Sequence, residues 1–199
     1  MRYSRRVSDT PDDWSTRHSV LSTARRTAAL VNTLTPDAPD PAAVARVLRA
    51  HGEDGPLDLT PRDVDRMRVA AARLREVFAA ADTDAAAAAL NRLLRAHTGR
   101  LRLTSHGGGT PWHPHLDRAD DGPWDEWFLA SSCMALTVLV WDRQRPPGAV
   151  CASPACRNVF ITQGSGPERR YCSRRCATRE RVAAHRARAA AAPDATDQT

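Results

Sequence analysis

Apolar positions in the first 145 residues recur mostly at three- and four-residue steps. In PRDVDRMRVAAARLREVFAAA, Val64, Met67, Ala71, Leu74 and Phe78 share one helical face, which marks that stripe as core. Thr60-Pro61 supplies a cap and a first-turn proline, and Asp40-Pro41 gives the same signal before PAAVARVLRAHG. An Asp/Thr cap opens ADTDAAAAALNRLLRAH, and a longer helix is predicted from about Trp124 to Gln144. Between these two helices the period changes. GRLRLTSH and TPWHPHLD alternate on either side of Gly107-Gly108-Gly109, as expected of a small β-hairpin. The predicted fold is therefore mainly α, with a helical domain over residues 19–145 that includes this hairpin. Arg145-Pro146-Pro147-Gly148 reads as a linker to a second module at 148–190, and 1–18 and 191–199 read as disordered tails.

The second module is CASPACRNVFITQGSGPERRYCSRRC followed by a helix-forming run, and it holds four of the five cysteines in two close pairs. Disulfides and metal ligation compete as explanations, and redox compartment decides between them. The stretch MRYSRRVSDTPDDW lacks the ~7–15-residue apolar run of a secretory signal, and no segment approaches the ~18–20 apolar residues of a membrane span. The expected location is cytoplasmic, with no membrane association. In a reducing compartment Cys151, Cys156, Cys172 and Cys176 read as thiolate ligands of one zinc ion per chain, and free or disulfide-bonded cysteines are the alternative.

The residues between the pairs suggest a geometry for that ion. Val159 to Ile161 reads as a strand, Gly164 to Pro167 as a turn, and Arg169 to Cys172 as the returning arm of a hairpin. Cys172 and Cys176 then enter ATRERVAAHRARAAAA, which has no helix breaker before Pro193. A loop pair, a hairpin and a pair at a helix N-terminus make a treble-clef-like zinc finger. Four thiolates close the coordination shell, so the ion is structural rather than catalytic, and no enzyme is expected. Cys133 lies in the apolar run FLASSCMALTVLVW and reads as a small buried hydrophobe, while His185 reads as a solvated or phosphate-facing side chain.

Charge adds a second property to the finger. The chain contains no lysine, and its net charge is +6. Residues 151–190 carry nine arginines against two acids, net +7, so the remainder of the chain sums to −1. A focused patch of this kind is the footprint of phosphate contact, and Arg170, Arg174, Arg175, Arg179, Arg181, Arg186 and Arg188 are the candidate nucleic-acid contacts. A solvated helix in an arginine-biased chain is the plainer alternative.

These residues carry a resemblance. The C-terminal segment resembles the CGNR zinc finger, with a cysteine pair, an aromatic (Tyr171) before the third cysteine, Cys172-Ser173, and a final cysteine followed by a basic helix. Cys176-Ala177-Thr178-Arg179 stands where that family has Cys-Gly-Asn-Arg, so the outer two residues match and the middle two do not; the family also usually has one more residue between its last two cysteines. Ala29-Leu30-Val31-Asn32-Thr33 is similar to the opening motif of ABATE, the stress-induced transcription regulator-like helical domain that usually precedes this finger. The resemblance implies zinc binding, DNA binding and transcriptional regulation. Regulation rests on the resemblance alone, whereas DNA binding rests on the arginines as well. Two other classes stay open: a zinc-stabilised module that docks an acidic protein, and an enzyme or small-molecule-binding function in the helical domain. A homodimer and a small-molecule effector also stay open as partners.

Other features of the helical domain invite sharper readings. His106, His113 and His115 surround the glycines, and such a cluster can bind a metal, but a short exposed hairpin with scattered histidines is the commoner arrangement and is the expectation here. The triple glycine lacks the Lys-Ser/Thr of a phosphate loop. His51-Gly52-Glu53 has no Pro-Cys-x-x-Cys counterpart, which excludes a zinc deaminase. Asn32 reads as a side chain that satisfies backbone groups within an apolar helix, with ligand contact as the alternative.

Overall fold

A computed structural model of the chain describes residues 19–53, 55–162 and 169–191. The expected tails at 1–18 and beyond Ala191, and the expected turn at Gly164–Pro167, lie outside the described residues. Within them the fold is mainly helical: α1 (Val20–Leu34), α2 (Pro41–Ala50), α3 (Pro61–Phe78), α4 (Thr83–His97), the hairpin β1 (Arg102–Thr104) and β2 (His113–His115), α5 (Trp124–Arg143), the hairpin β3 (Gly148–Val150) and β4 (Val159–Ile161), and α6 (Arg174–Ala191). Among the described residues no helix is long and apolar enough to cross a membrane.

The helix starts follow from local chemistry. Asp40 accepts from the Ala42 N–H at 2.9 Å with Pro41 in the first turn, and Asp82 accepts from the Ala85 N–H at 2.8 Å. Thr60 and Asp63 form a reciprocal capping box, which satisfies two donors that a helix N-terminus leaves orphaned. The predicted stripe of α3 is buried at all five positions. Helix α5 is the central element and packs against α1, α3 and α4. Phe128, Cys133 and Leu136 of α5 are fully enclosed there. Burial pushes the Cys133 thiol up to about 12, which keeps it a neutral, small apolar group. Gln144 ends α5 in the left-handed conformation, at φ 52°.

The structure corrects two local expectations. Val159–Ile161 does not pair with Arg169–Cys172; it pairs antiparallel with Gly148–Val150, the end of the presumed linker, in the register Gly148↔Ile161, Ala149↔Phe160, Val150↔Val159. The first cysteine pair therefore occupies the hairpin's own loop. Gly148 makes this possible, because a Cβ there would meet the Phe160 carbonyl oxygen and lie 2.5 Å from Phe78 Cδ1. The second correction concerns the histidines. The register Arg102↔His115 and Thr104↔His113 puts two histidines of β2 on one face, and His106 turns back over them, so the three rings converge instead of scattering.

The β3–β4 hairpin is docked on the helical core. Val159 is 1 % exposed and belongs to that core. Asn32 of α1 donates through Nδ2 to the Val159 carbonyl at 3.0 Å and accepts from the Val159 N–H at 2.7 Å. Arg75 of α3 donates to the Arg157 carbonyl. Asn32 thus satisfies backbone groups, as the sequence suggests, and the groups belong to the finger. Asn32→Ala strands both polar groups of a buried residue and is expected to cost roughly 1–3 kcal/mol. Gly148→Ala, which overpacks the contact with Phe78, is expected to cost about 1–3 kcal/mol. Urea unfolding checks both, and an unchanged midpoint in either variant would show that this docking adds nothing to stability.

Candidate metal centre and basic helix

Cys151 follows β3 directly, and its N–H donates to the Asn158 carbonyl at 2.8 Å across the hairpin end. The Cys156 N–H donates to the Ser153 carbonyl at 2.8 Å, which folds CASPAC into a tight loop with both sulfurs on one side. The Ala152 N–H donates to the Arg170 carbonyl at 2.9 Å and brings the second pair alongside. Ser173 caps α6: its hydroxyl accepts from the Cys176 N–H at 3.3 Å and its carbonyl from the Ala177 N–H at 3.1 Å. Cys172 and Cys176 are therefore one turn apart at the helix start.

The donor set fits zinc. The four sulfurs lie within 4.8 Å of one another. Four Zn–S bonds of ~2.3 Å in a tetrahedron place sulfurs ~3.8 Å apart. The separations Cys156 Sγ to Cys172 Sγ and Cys172 Sγ to Cys176 Sγ are both 3.7 Å. The protonation chemistry agrees. Burial raises the Cys151 thiol, but hydrogen bonds from the Cys172 and Ser153 N–H groups and from neighbouring thiols outweigh it and leave it at about 7. Burial and the neighbouring sulfurs push Cys172 up to about 12. Four thiolates cannot coexist here without a cation, and a divalent ion supplies it. The site holds one zinc ion with a closed, structural shell.

Three side chains brace the ligand loop, and of these the sequence did not single out Ser153 and Glu180. Ser153, 1 % exposed, donates to Glu180 of α6. Arg179 donates to the Ser153 hydroxyl and reaches Cys176 Sγ at 3.6 Å. Arg179 is the one candidate contact whose guanidinium turns into the zinc loop. The spacing of Ser153 from Glu180 gave no signal in the sequence, because their contact exists only once the metal ligands have met.

The other candidate arginines face solvent. Arg170, Arg174, Arg175, Arg181, Arg186 and Arg188 are all exposed, as is every residue from 181 to 190. At 100° per residue, the six arginines of α6 and His185 occupy one half of the helix, while Cys176, Glu180, Ala183, Ala184 and Ala187 occupy the other. The helix is thus tied down at its zinc-bound start and bare along the rest of its described length.

The fold and ligand set define a four-cysteine zinc finger attached to a helical domain. Residues 149–189 match the model of the CGNR zinc finger family, and the match covers the four ligands and most of the basic helix. A comparison with curated proteins gives no match to the chain.

Replacing Cys172 by Ser removes one of four ligands, and cobalt-loaded protein is expected to bind the ion more weakly and to show reduced thiolate-to-metal charge-transfer absorption at the finger. Arg179→Ala keeps all four ligands but frees Ser153 and Cys176, so a chelator is expected to strip the finger's ion with ~10–100-fold weaker retention. Unchanged retention in Arg179→Ala would assign the bracing to Glu180 alone.

Proposed function

We propose that the chain is a cytoplasmic, non-enzymatic DNA-binding protein that regulates transcription, with an ABATE-like helical domain carrying the zinc finger. The observation that supports this most is α6: a helix exposed from residue 181 to 190, with five solvent-facing arginines (Arg174, Arg175, Arg181, Arg186 and Arg188) on one half and the zinc ligands at its base. Its 18 residues span about 27 Å, and an α-helix with side chains, ~10–12 Å across, fits the ~12 Å major groove of B-DNA. Arginine's planar fork pairs with phosphate oxygens and with guanine edges alike. Regulation and the ABATE assignment rest on the resemblance at Ala29–Thr33 and on the finger family.

An acidic protein surface would be attracted by the same arginines, and the bare alanine half of α6 favours this second reading. Salt dependence separates them. Duplex DNA binding is expected to weaken steeply as salt rises, with ~0.9 in log–log slope for each phosphate contact. The variant Arg181→Ala/Arg186→Ala/Arg188→Ala is expected to flatten that slope by about 2–3. Wild-type binding and slope in this variant would remove the basis for DNA contact by α6.

A further inference from the structure

The β1–β2 hairpin brings a second set of ligand atoms to one point, independently of the finger and of the nucleic-acid reading. His113 Nε2 lies 3.2 Å from His106 Nε2 and 3.0 Å from His115 Nε2. The ring centroids form a near-equilateral triangle with sides of 4.8–5.0 Å. The side chains of His106 and His115 are 5 % and 9 % exposed. His106 adopts φ 49°, an uncommon conformation for a residue with a Cβ, and this turn aims its ring back at the strand.

The opposite ring nitrogens explain why this is more than crowding. His113 Nδ1 meets the Pro111 carbonyl at 2.8 Å, His115 Nδ1 meets Asp117 Oδ1 at 2.8 Å, and His106 Nδ1 meets Asp120 Oδ2 at 3.1 Å. A carbonyl and two carboxylates face the three Nδ1 atoms, and with the ring protons on that side all three Nε2 atoms present lone pairs to the centre of the triangle. Nitrogens 3.0–3.2 Å apart can be joined either by a ring proton or by a cation bound to all three. The carboxylates are themselves held: Arg102 donates to Asp117 Oδ1 at 2.7 Å and forms an ion pair with Asp120 Oδ1 at 2.6 Å, and Thr104 donates to Asp120 Oδ2 at 3.0 Å. Carboxylate–histidine pairs of this form orient imidazoles at metal centres and raise their basicity.

We propose that His106, His113 and His115 bind one divalent first-row transition metal ion, zinc by preference, through their three Nε2 atoms. With metal–nitrogen bonds of ~2.0–2.1 Å, the two separations from His113 Nε2 correspond to angles of roughly 91–106° at the ion, within reach of a facial three-ligand arrangement. Imidazole donors suit zinc, copper, iron and nickel, and exclude magnesium and calcium, which take oxygen ligands. Among the described residues three imidazoles supply three positions of the ion's shell. His113 and His115 also border a cavity of about 140 Å³ lined by Arg26, Glu53, Ser131 and Trp127.

Full-length protein loaded with zinc and freed of excess metal is expected to contain about two ions per chain, one on thiolates and one on imidazoles. His113→Ala is expected to hold about one, with the thiolate-to-metal absorption of the cobalt-loaded finger unchanged. A wild-type protein holding a single, thiolate-bound ion, or a His113→Ala protein that keeps two, would overturn the assignment. Asp120→Asn covers the case in which His113→Ala does not fold. It leaves all three ligands in place and weakens only their orientation, so the second ion's affinity is expected to fall ~10–100-fold, and an unchanged affinity counts against the site.

Discussion

The Asn32 amide meets both the N–H and the carbonyl of Val159, and the placement of everything beyond α5 depends on that pairing. Val159 is buried in the helical core, where unpaired backbone groups would be costly. A slip of one residue would put Phe160 where Val159 now sits and turn the strand's core side chain outward. The amide and the apolar side chain therefore select the same register. The zinc loop grows from this same end of the hairpin, since Val159 pairs with Val150 and Cys151 comes immediately after it. Finger and helical domain share a core, and the linker inferred from Arg145 to Gly148 ends in a strand.

The helical part of this arrangement was legible because its information is local. Caps at Thr60 and Asp40 and the stripe from Val64 to Phe78 are written within single turns of helix. The zinc ligands were legible for the same reason, as two pairs each closed by a short loop. The β3 strand was not, because Gly-Ala-Val after two prolines carries no alternation, and its pairing depends on a glycine whose importance appears only when Phe78 and Phe160 approach. The histidine triangle was harder still. His113 and His115 advertise a shared strand face, but the convergence of His106 needs a left-handed backbone, and the Nδ1 partners include Asp117 and Asp120 held by Arg102 from the opposite strand.

Buried polar groups mark the surfaces where elements had to meet in one way. Arg26, 6 % exposed, donates to Glu53 and to Ser131 of α5 at 2.9 Å and stacks over Trp127 at 4.4 Å. The Thr27 hydroxyl donates to the Thr23 carbonyl and accepts from Ser132 at 2.8 Å beside it. Apolar packing alone would let α1 and α5 slide along their ridges, whereas a charge pair and a hydroxyl pair left unmatched in that interface carry a penalty. Six residues further along the same helix, Asn32 fixes the finger. Helix α1 is thereby keyed at its middle and near its C-terminal end.

Helix α6 has the opposite problem, because it must stay helical with almost nothing packed on it. Residues 181–190 bury no side chain, so tertiary burial contributes nothing there, and an isolated helix of this length is marginal in water. Alanine and arginine favour propagation, but the first turn remains the costly step. Zinc removes that step. Cys172 and Cys176 are four residues apart, and binding both to one ion fixes the first turn while Ser173 caps it and Glu180 and Arg179 tie the second turn to Ser153. The nucleus is therefore formed by metal coordination, and the arginine-bearing turns extend from it. It follows that loss of the ion acts on the basic helix as well as on the loop: without a nucleus the arginines no longer share one face, and an electrostatic surface that depends on their alignment disappears with the metal.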